Sequence, residues 1–595
     1  MYFRSKHSGG HEYLQVVESQ RVDGKPRQTV VATLGRLDVL RDTGALDRLL
    51  RSGARLTENA VLLSAFENGE TTTISANRIG PPLVFERLWR DIGCRAVIDD
   101  ALAERAFEFP VERAVFLTVL HRLMDPGSDR AAERWRDAYA IDGMAGLDLH
   151  HLYRAMAWLG EELADQSGKG LVARTTKDLI EERLFARRRT LFSDMSLAIF
   201  DTTSLYFEGE GGATLGCYGH SKDHRPDLHQ LVLGVVIDGE GRPIMTEMWP
   251  GNTADVTSLL PVVDRLRQRF HIERVCVIAD RGMISAKTIA ELERRRIDYI
   301  LGVRERRTVE AAAVLADQAP YVPLTVPKAN GRGTLDLQVK EVVRTDKDAA
   351  GKSRRRRYVV CYNEAEARND AAARQAVLAG LADALAKGEK KLIGNKGFRR
   401  FVKTEGDSHF VIDTDKAAAE ARFDGIYILR TNTTVSALEV ALRYRQRYTV
   451  EDIFRTSKSL LETRPIFHKC DETIRGHVFC SFLALGLRKE LIDRMAAAGH
   501  VAEWADMLRD LDRLVETEIQ QGTKRFRIRP PAPGCAGKVF AAAGVALPHL
   551  VQPVNARPPP DPPPSPQPKP RRKPRRSAKA KLMPANPLMG KDYPE

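Results

Sequence analysis

With 595 residues, 43% hydrophobic and 29% charged, the chain has apolar side chains enough for several cores; three or four domains are expected, not a fibrous or low-complexity polymer. The longest apolar run, near Phe479–Leu487, is too short and interrupted to span a bilayer, and Met1–His7 lacks the apolar stretch of a signal peptide, so a cytoplasmic protein with no membrane partner is expected. The net charge of +14 favours a polyanionic partner, although nine Lys/Arg against one Asp between Arg557 and Leu582 carry much of it locally.

Residues 12–35 read as a β-hairpin, Tyr13–Val17 and Thr29–Thr33 flanking the turn pair Asp23-Gly24. Residues 83–192 read as helical, with apolar spacing through Leu83–Ile92, Val111–Leu123 and Leu152–Leu163 and a break at Asp125-Pro126-Gly127-Ser128. The pattern then changes. Strands are expected at Met195–Tyr206, Leu231–Ile237, Pro243–Trp249, Arg274–Ala279 and Tyr299–Val303, with helices at Ser258–Phe270 and Ser285–Arg295. This β-β-β-α-β-α-β order describes a ribonuclease-H-like α/β fold. Residues 304–434 read as an inserted, mainly β domain with strand-like pieces at Leu335–Val343, Arg357–Tyr362, Phe410–Asp413 and Gly425–Leu429 and an Ala-rich helix near Ala371–Lys387. One long helix is expected from Ser436 past Leu460, and another over Ile474–Met495. Eleven of the 31 prolines lie between Pro553 and Pro574, so the end should be extended and disordered.

Two aspartates end apolar strands: Asp201 after Leu197-Ala198-Ile199-Phe200, and Asp280 after Val277-Ile278-Ala279. A carboxylate there is costly to desolvate unless it faces a cleft, a partner or a metal, and crevices of open α/β sheets form at such strand ends. A capping Asp at a strand–loop junction is the plainer alternative. Tyr444, Arg447, Glu451, Phe454 and Lys458 follow steps of 3, 4, 3 and 4, which puts them on one helical face. Such a face is either a salt-bridged surface, with Arg447–Glu451 as an i,i+4 pair, or a site with Glu451 beside the aspartates.

The spacing Tyr444-x2-Arg447-x3-Glu451-x6-Lys458 resembles the Y-R-E-K signature of bacterial insertion-sequence DDE transposases (the insertion-sequence-four superfamily). Asp201–Gly209 is similar to that family's first-aspartate segment, Gly219–Leu228 to the stretch after it, Asp280-Arg281-Gly282 to its second-aspartate block, and Arg475-Gly476-His477 to a later motif. The resemblance spans roughly residues 1–490 and implies a DNA transposase. Asp201, Asp280 and Glu451 would be catalytic and hold Mg²⁺ (or Mn²⁺), two ions in number. Tyr444, Arg447 and Lys458 would bind DNA. Cut-and-paste transfer at terminal inverted repeats into target DNA is implied, with a homodimer on paired ends in the nucleoid. The corresponding organisation is an N-terminal hairpin region (1–80), a helical DNA-binding region (81–192), a core in two parts (193–303 and 435–500) around the insertion (304–434), a C-terminal helical region (501–556) and a basic tail (557–595). A non-catalytic DNA-binding relic and a structure-specific nuclease of the same fold remain the alternatives.

Weaker signals carry less. His220, His224 and His229 have metal-like spacing in a polar loop. The set His468, Cys470, His477 and Cys480 fits no standard zinc pattern, and the seven scattered cysteines read as free thiols. Gly394-Asn395-Lys396-Gly397 is not a P-loop, and Arg354–Arg357 is either a solvated run or a DNA grip.

Overall fold

The computed structural model describes residues 2–22, 25–46, 48–49, 71–166, 173–188, 197–272, 275–303, 309–327, 333–347, 353–387, 396–405, 409–521 and 524–554. The turn pair Asp23-Gly24, Gly394-Asn395 and the tail 557–595 lie outside them. The chain divides into two compact units: Met1–Thr72 with Ile519–Arg527 and Val551–Glu595, and Thr73–Glu518 with Ile528–Leu550.

The first unit holds an antiparallel sheet of β1 (Tyr2–Ser8), β2 (His11–Val22) and β3 (Lys25–Arg36) in that order. β2 and β3 are the expected hairpin. β1 was not expected because its side chains do not alternate. It is largely exposed and is held by its backbone ladder to β2 rather than by burial. Leu14, Val17 and Leu37 are the buried apolar side chains here, Leu37 opening the short helix Leu37–Asp42.

In the second unit, β4 (Thr71–Arg78) leads into six helices: Gly80–Asp91, Cys94–Ala101, Val111–Met124, Asp129–Trp135, Leu149–Gly160 and Thr176–Arg188. Every residue from Val111 to Leu123 is buried, so that helix is central and shows no polar face. The expected break at Asp125–Ser128 ends it, and Ser128 Oγ caps the next helix by accepting from the Ala131 N–H at 3.2 Å.

The 27-residue helix Asp471–Ala497 crosses Leu149–Gly160 backbone to backbone. A Cβ on Gly476 would stand 2.0 Å from Met156 O, and one on Gly160 2.0 Å from Glu472 O. Neither neighbour is a movable side-chain end, so each glycine is required by the approach. Gly476→Ala is therefore expected to lower stability by about 1–3 kcal/mol or more, read as a fall in thermal midpoint; an unchanged midpoint would contradict the close crossing.

The main sheet has nine strands: β5 (Leu197–Tyr206), β6 (Gln230–Ile237), β7 (Pro243–Pro250), β8 (Cys276–Ala279), β9 (Asp298–Gly302), β10 (Val322–Pro327), β11 (Thr334–Lys347), β12 (Ser353–Tyr362) and β15 (Ile426–Thr431). Their spatial order is β10-β11-β12-β15-β9-β8-β5-β6-β7. A separate pair, β13 (Val402–Glu405) and β14 (His409–Ile412), lies between β12 and β15 in sequence. β8 runs parallel to both β5 and β9; the other pairings in the main sheet are antiparallel. Helices Asp255–Gln268 and Ala286–Arg294 supply the crossovers, so the β-β-β-α-β-α-β order is observed in a mixed α/β unit. Of the strands from residues 304–434, β10, β11, β12 and β15 continue this sheet beyond β9.

Side-chain alternation divides β5 between two cores. Ala198 and Phe200 pack with Leu259, Val262, Leu266 and Leu292 of the crossover helices. Leu197, Ile199 and Leu205 join the larger core, which includes Val450, Ile453, Phe454, Val478 and Phe479. The odd-numbered positions of β5, Asp201 among them, thus face the helices of residues 447–497.

The expected long helix after Ser436 is interrupted. Ser436 caps Ala437–Arg445, the chain bends at Gln446, and Arg447–Arg455 follows. A wide turn, Thr456–Leu460, then closes with Leu461 N–H donating to Thr456 O at 2.9 Å.

Candidate active site

The register of two parallel strands brings the aspartates together. Ile199 of β5 pairs with Ile278 of β8. Asp201 and Asp280 both lie two residues past that rung, hence on the same face of adjacent strands, spaced by roughly 4.8 Å in the pairing direction. Asp201 is 8% exposed, and the Thr202 N–H donates to its Oδ1 at 2.7 Å. Burial pushes its carboxyl up to about 6, against that hydrogen bond and the nearby charges of Lys222 and Arg447.

Arg447 stands between the carboxylates. Its Nη1 is 3.4 Å from Asp201 Oδ2 and 4.0 Å from Asp280 Oδ1, and its Nη2 is 2.9 Å from Glu451 Oε1. Both possibilities for the Arg447–Glu451 pair are met at once: it is an i,i+4 ion pair, and it lies beside the aspartates. Burial acts to lower the Arg447 pKa, but Tyr444 and the three carboxylates more than offset it, and the net shift is upward. The Tyr444 hydroxyl is 3.5 Å from Asp280 Oδ1, its ring stacks on Tyr427 at 6.1 Å, and burial raises its pKa.

A cavity of about 270 Å³ opens beside these groups, lined among others by Asp280, Tyr427, Tyr444, Arg447 and Tyr448.

Lys458 goes elsewhere. From the wide turn its Nζ donates to Asp223 Oδ1 at 2.8 Å, both side chains being nearly buried. Phe454 turns into the core. The single helical face expected for 444–458 is thus broken by the bend at Gln446 and the turn at 456–460. Tyr444 and Arg447 reach the aspartates, Glu451 reaches Arg447, and Lys458 reaches none of them.

The quoted stretch 219–228 contributes residues to which no role had been given. Lys222 Nζ donates to Thr202 O at 2.9 Å and Thr202 Oγ1 at 2.7 Å, and pairs with Asp255 Oδ2 at 3.0 Å. Thr202 Oγ1 in turn donates to Asp255 Oδ1 at 2.7 Å. Asp223 is the partner of Lys458. These partners were hidden because they lie far away along the chain.

Among the described residues, two clusters bring three potential metal-ligand atoms within 4.8 Å of one another: Asp129–His468–His477 and Asp148–His150–His151. Asp201, Asp280 and Glu451 do not form such a cluster; Arg447 is inserted among them. The first cluster fits a metal poorly. His477 Nδ1 lies 2.7 Å from Arg122 Nη2 and its Nε2 3.1 Å from Thr463 O, so both nitrogens are engaged and a cation is already adjacent. Arg122 Nη1 also donates to His477 O at 2.6 Å. The second cluster is largely exposed, and His151 Nδ1 accepts from the Asp148 N–H at 2.9 Å as part of a helix cap.

No zinc set forms from His468, Cys470, His477 and Cys480: Cys470 is exposed, and burial pushes the Cys480 thiol up to about 12. In the polar loop, His229 Nδ1 is 2.8 Å from Glu210 O. Arg357, last of the Arg run, pairs with Glu341 and donates to Thr433 O and Val435 O.

Burial, then Arg122 and His468, hold the His477 pKa well below its ordinary 6.5, with Asp129 and Thr463 O opposing. A folded histidine of depressed pKa contributes stability above its unfolded pKa, and that contribution is lost as pH falls below about 6.5, by at most roughly 1.4 kcal/mol per pH unit. His477→Asn, which keeps an acceptor for Arg122, is expected to lose less stability than the parent between pH 6.5 and 5 in denaturant titrations. Equal slopes would contradict a neutral, buried imidazole.

The family model for the transposase DDE domain matches residues 192–487, and that for the N-terminal domain of IS1634 family transposases matches residues 3–65. No curated protein matches the chain. No described helix is long and apolar enough to cross a membrane. The DDE domain implies an enzyme that acts on DNA with divalent metal ions. With the two matches lying in order along one chain, this protein belongs to the insertion-sequence DDE transposases.

Proposed function

We propose that the chain cleaves DNA at the ends of its insertion sequence and joins the freed 3′-hydroxyls to target DNA, using Asp201, Asp280 and Glu451 to hold Mg²⁺ or Mn²⁺. The observation that carries this reading is the shared contact of all three carboxylates with the Arg447 guanidinium. Three acidic groups converging on one cation are a site that demands positive charge, and an all-carboxylate donor set suits Mg²⁺. Asp201, Asp280 and Glu451 would hold the ions, whose Lewis acidity would serve to activate the attacking oxygen and stabilise the leaving one.

The chain's own groups orient the reaction. Asp201 is held within β5 and Asp280 just past the end of β8, both beyond the rung Ile199–Ile278, and Glu451 by a helix packed on β5. Arg447 would grip a DNA-end phosphate in its bidentate fork. Tyr444 and Lys458 bind the same strand. The strand order supports a ribonuclease-H-like core from 193–303 and 435–500, with 304–434 inserted. In this reading 1–80 and 81–192 recognise the element ends; 501–556, expected to be helical, instead holds strands Val515–Gln521, Lys524–Ile528 and Val551–Pro553 beside helices Trp504–Asp512 and Ala536–Ala543. Two copies pair the ends in the nucleoid and the element moves by cut-and-paste. The test is strand transfer of a duplex carrying the terminal inverted repeat into a plasmid. Joined product with Mg²⁺ and none with EDTA is expected; hydrolysis without joining would reduce the protein to a nuclease.

A further inference from the structure

Asp223 makes a contact that the reaction itself does not require. Its carboxylate is the Lys458 partner at 2.8 Å, and Arg464 Nε approaches its other oxygen at 3.6 Å. That second approach is too long for a hydrogen bond, and both atoms, Asp223 Oδ2 and Arg464 Nε, are buried without a hydrogen-bond partner. Arg464 and Arg225 lie over the ring of Tyr206, the last residue of β5, at 5.3 and 5.5 Å. Lys222, Arg225, Lys458 and Arg464 thus gather around the end of the strand that carries Asp201; Lys222 is paired with Asp255 and Arg225 with Asp227, while Asp223 is set between Lys458 and Arg464.

An anionic oxygen pair bound by a lysine and an arginine beside a phosphoryl-transfer site has the charge and reach of a DNA phosphate. We propose that Asp223 is an internal stand-in for a strand phosphate, occupying Lys458 and Arg464 until DNA displaces it. This rests on the reading above that Lys458 binds DNA.

The fold is built to let the loop go. His224, next to Asp223, holds φ at 57°, a left-handed conformation that a non-glycine residue adopts at a cost. The loop backbone is held by Ser221 Oγ, which accepts from the Asp223 and Arg225 N–H groups, and by Ser204 Oγ, which accepts from the Lys222 N–H, while Lys222 Nζ is anchored on Thr202 and Asp255. Arg464 and Asp223 are a poorly matched pair that a tetrahedral phosphate, with more oxygens to offer, would satisfy better. The consequence is selectivity: Lys458 is withheld from weak, non-specific contacts and becomes available only when a strand is seated well enough to compete with a buried carboxylate.

The experiment measures the affinity of the full-length protein for a terminal-repeat duplex across a salt series, with Ca²⁺ in place of Mg²⁺. Asp223→Asn and Asp223→Ser are compared with the parent, Lys458→Ala and the Asp223→Asn/Lys458→Ala double variant. The proposal expects both Asp223 variants to bind about three- to tenfold tighter, with a log–log salt slope steeper by about 0.9. The double variant should lose that gain. If Lys458→Ala leaves affinity and slope unchanged, the assignment of Lys458 to DNA fails. If Lys458→Ala weakens binding while the Asp223 variants bind no tighter, the stand-in role fails and the assignment stands. Unfolding of both Asp223 variants, seen in thermal melts, also overturns it, because a contact released in every binding cycle cannot be one that the fold requires.

Discussion

Glu451→Gln is expected to lower the rate of Mg²⁺-dependent cleavage of a terminal-repeat duplex by about a thousandfold or more while DNA binding in Ca²⁺ stays within a few-fold of the parent. The two side chains have nearly the same size, and the Glu451 side chain is 44% exposed. The substitution therefore removes charge with little effect on packing, and stability should change by no more than about 0.5 kcal/mol. Its effect on the rate is large because ligand charge is what fixes the ions. Each 1.36 kcal/mol of lost transition-state stabilisation costs about a factor of ten. A misplaced ion forfeits several kcal/mol, which sets the thousandfold scale. Asp201→Asn and Asp280→Asn should act alike. Undiminished cleavage in Glu451→Gln would remove Glu451 from the site and leave the Arg447–Glu451 pair as an ordinary surface ion pair.

Arg447→Gln is expected to make the metal-free protein less stable and the metal-loaded protein comparatively more so. Without its guanidinium, Asp201 is a buried carboxylate facing two acidic neighbours and no cation from that side. Breaking a fully buried pair costs about 3–5 kcal/mol. Here the Arg447 and Asp201 side chains are 17% and 12% exposed and the Glu451 pair is well solvated, so about 1–3 kcal/mol is the expected scale. Mg²⁺ then supplies the missing charge, and saturation at a hundred times Kd contributes about 2.7 kcal/mol. In thermal melts with and without Mg²⁺, the rise in Tm should be larger for Arg447→Gln than for the parent, whose ions must displace Arg447 first. DNA affinity should fall in the same variant, because the fork that grips phosphate is gone. Equal rises in Tm would mean that the guanidinium and the ions do not compete for the same carboxylates.

How much of this site was legible in the sequence follows from which interactions are local. The apolar run before Asp280 marks a strand end, but the run before Asp201 does not, since β5 continues past Asp201 to Tyr206; period-2 alternation assigns the faces. That the two strands are parallel neighbours in the register Ile199–Ile278 is a tertiary fact, suggested by the strand order but visible only in the sheet. The 3–4 spacing of 444, 447 and 451 predicts a shared face; Tyr444 and Arg447 reach the aspartates, and Glu451 pairs with Arg447. Extending the same spacing to Lys458 assumes a continuous helix, and the bend at Gln446 and the wide turn at 456–460 break that assumption. The partner of Lys458 is 235 residues away, beyond any pattern in a local window. Gly476 shows the converse. The motif Arg475-Gly476-His477 could be noticed in the sequence, but its reason, a backbone crossing against Met156 and an Arg122 contact to His477, exists only in three dimensions.

The central claim, that Asp201, Asp280 and Glu451 hold the metal, can be tested without a DNA substrate. Fe²⁺ substituted for Mg²⁺ generates hydroxyl radicals in the presence of ascorbate and peroxide, and these cut the backbone close to wherever the ion sits. The fragments should map to the three segments around 201, 280 and 451 together, and all three cuts should fade in Asp201→Asn. Cuts instead around 129, 468 and 477, or around 148–151, with 201, 280 and 451 untouched, would place the metal elsewhere and contradict the account.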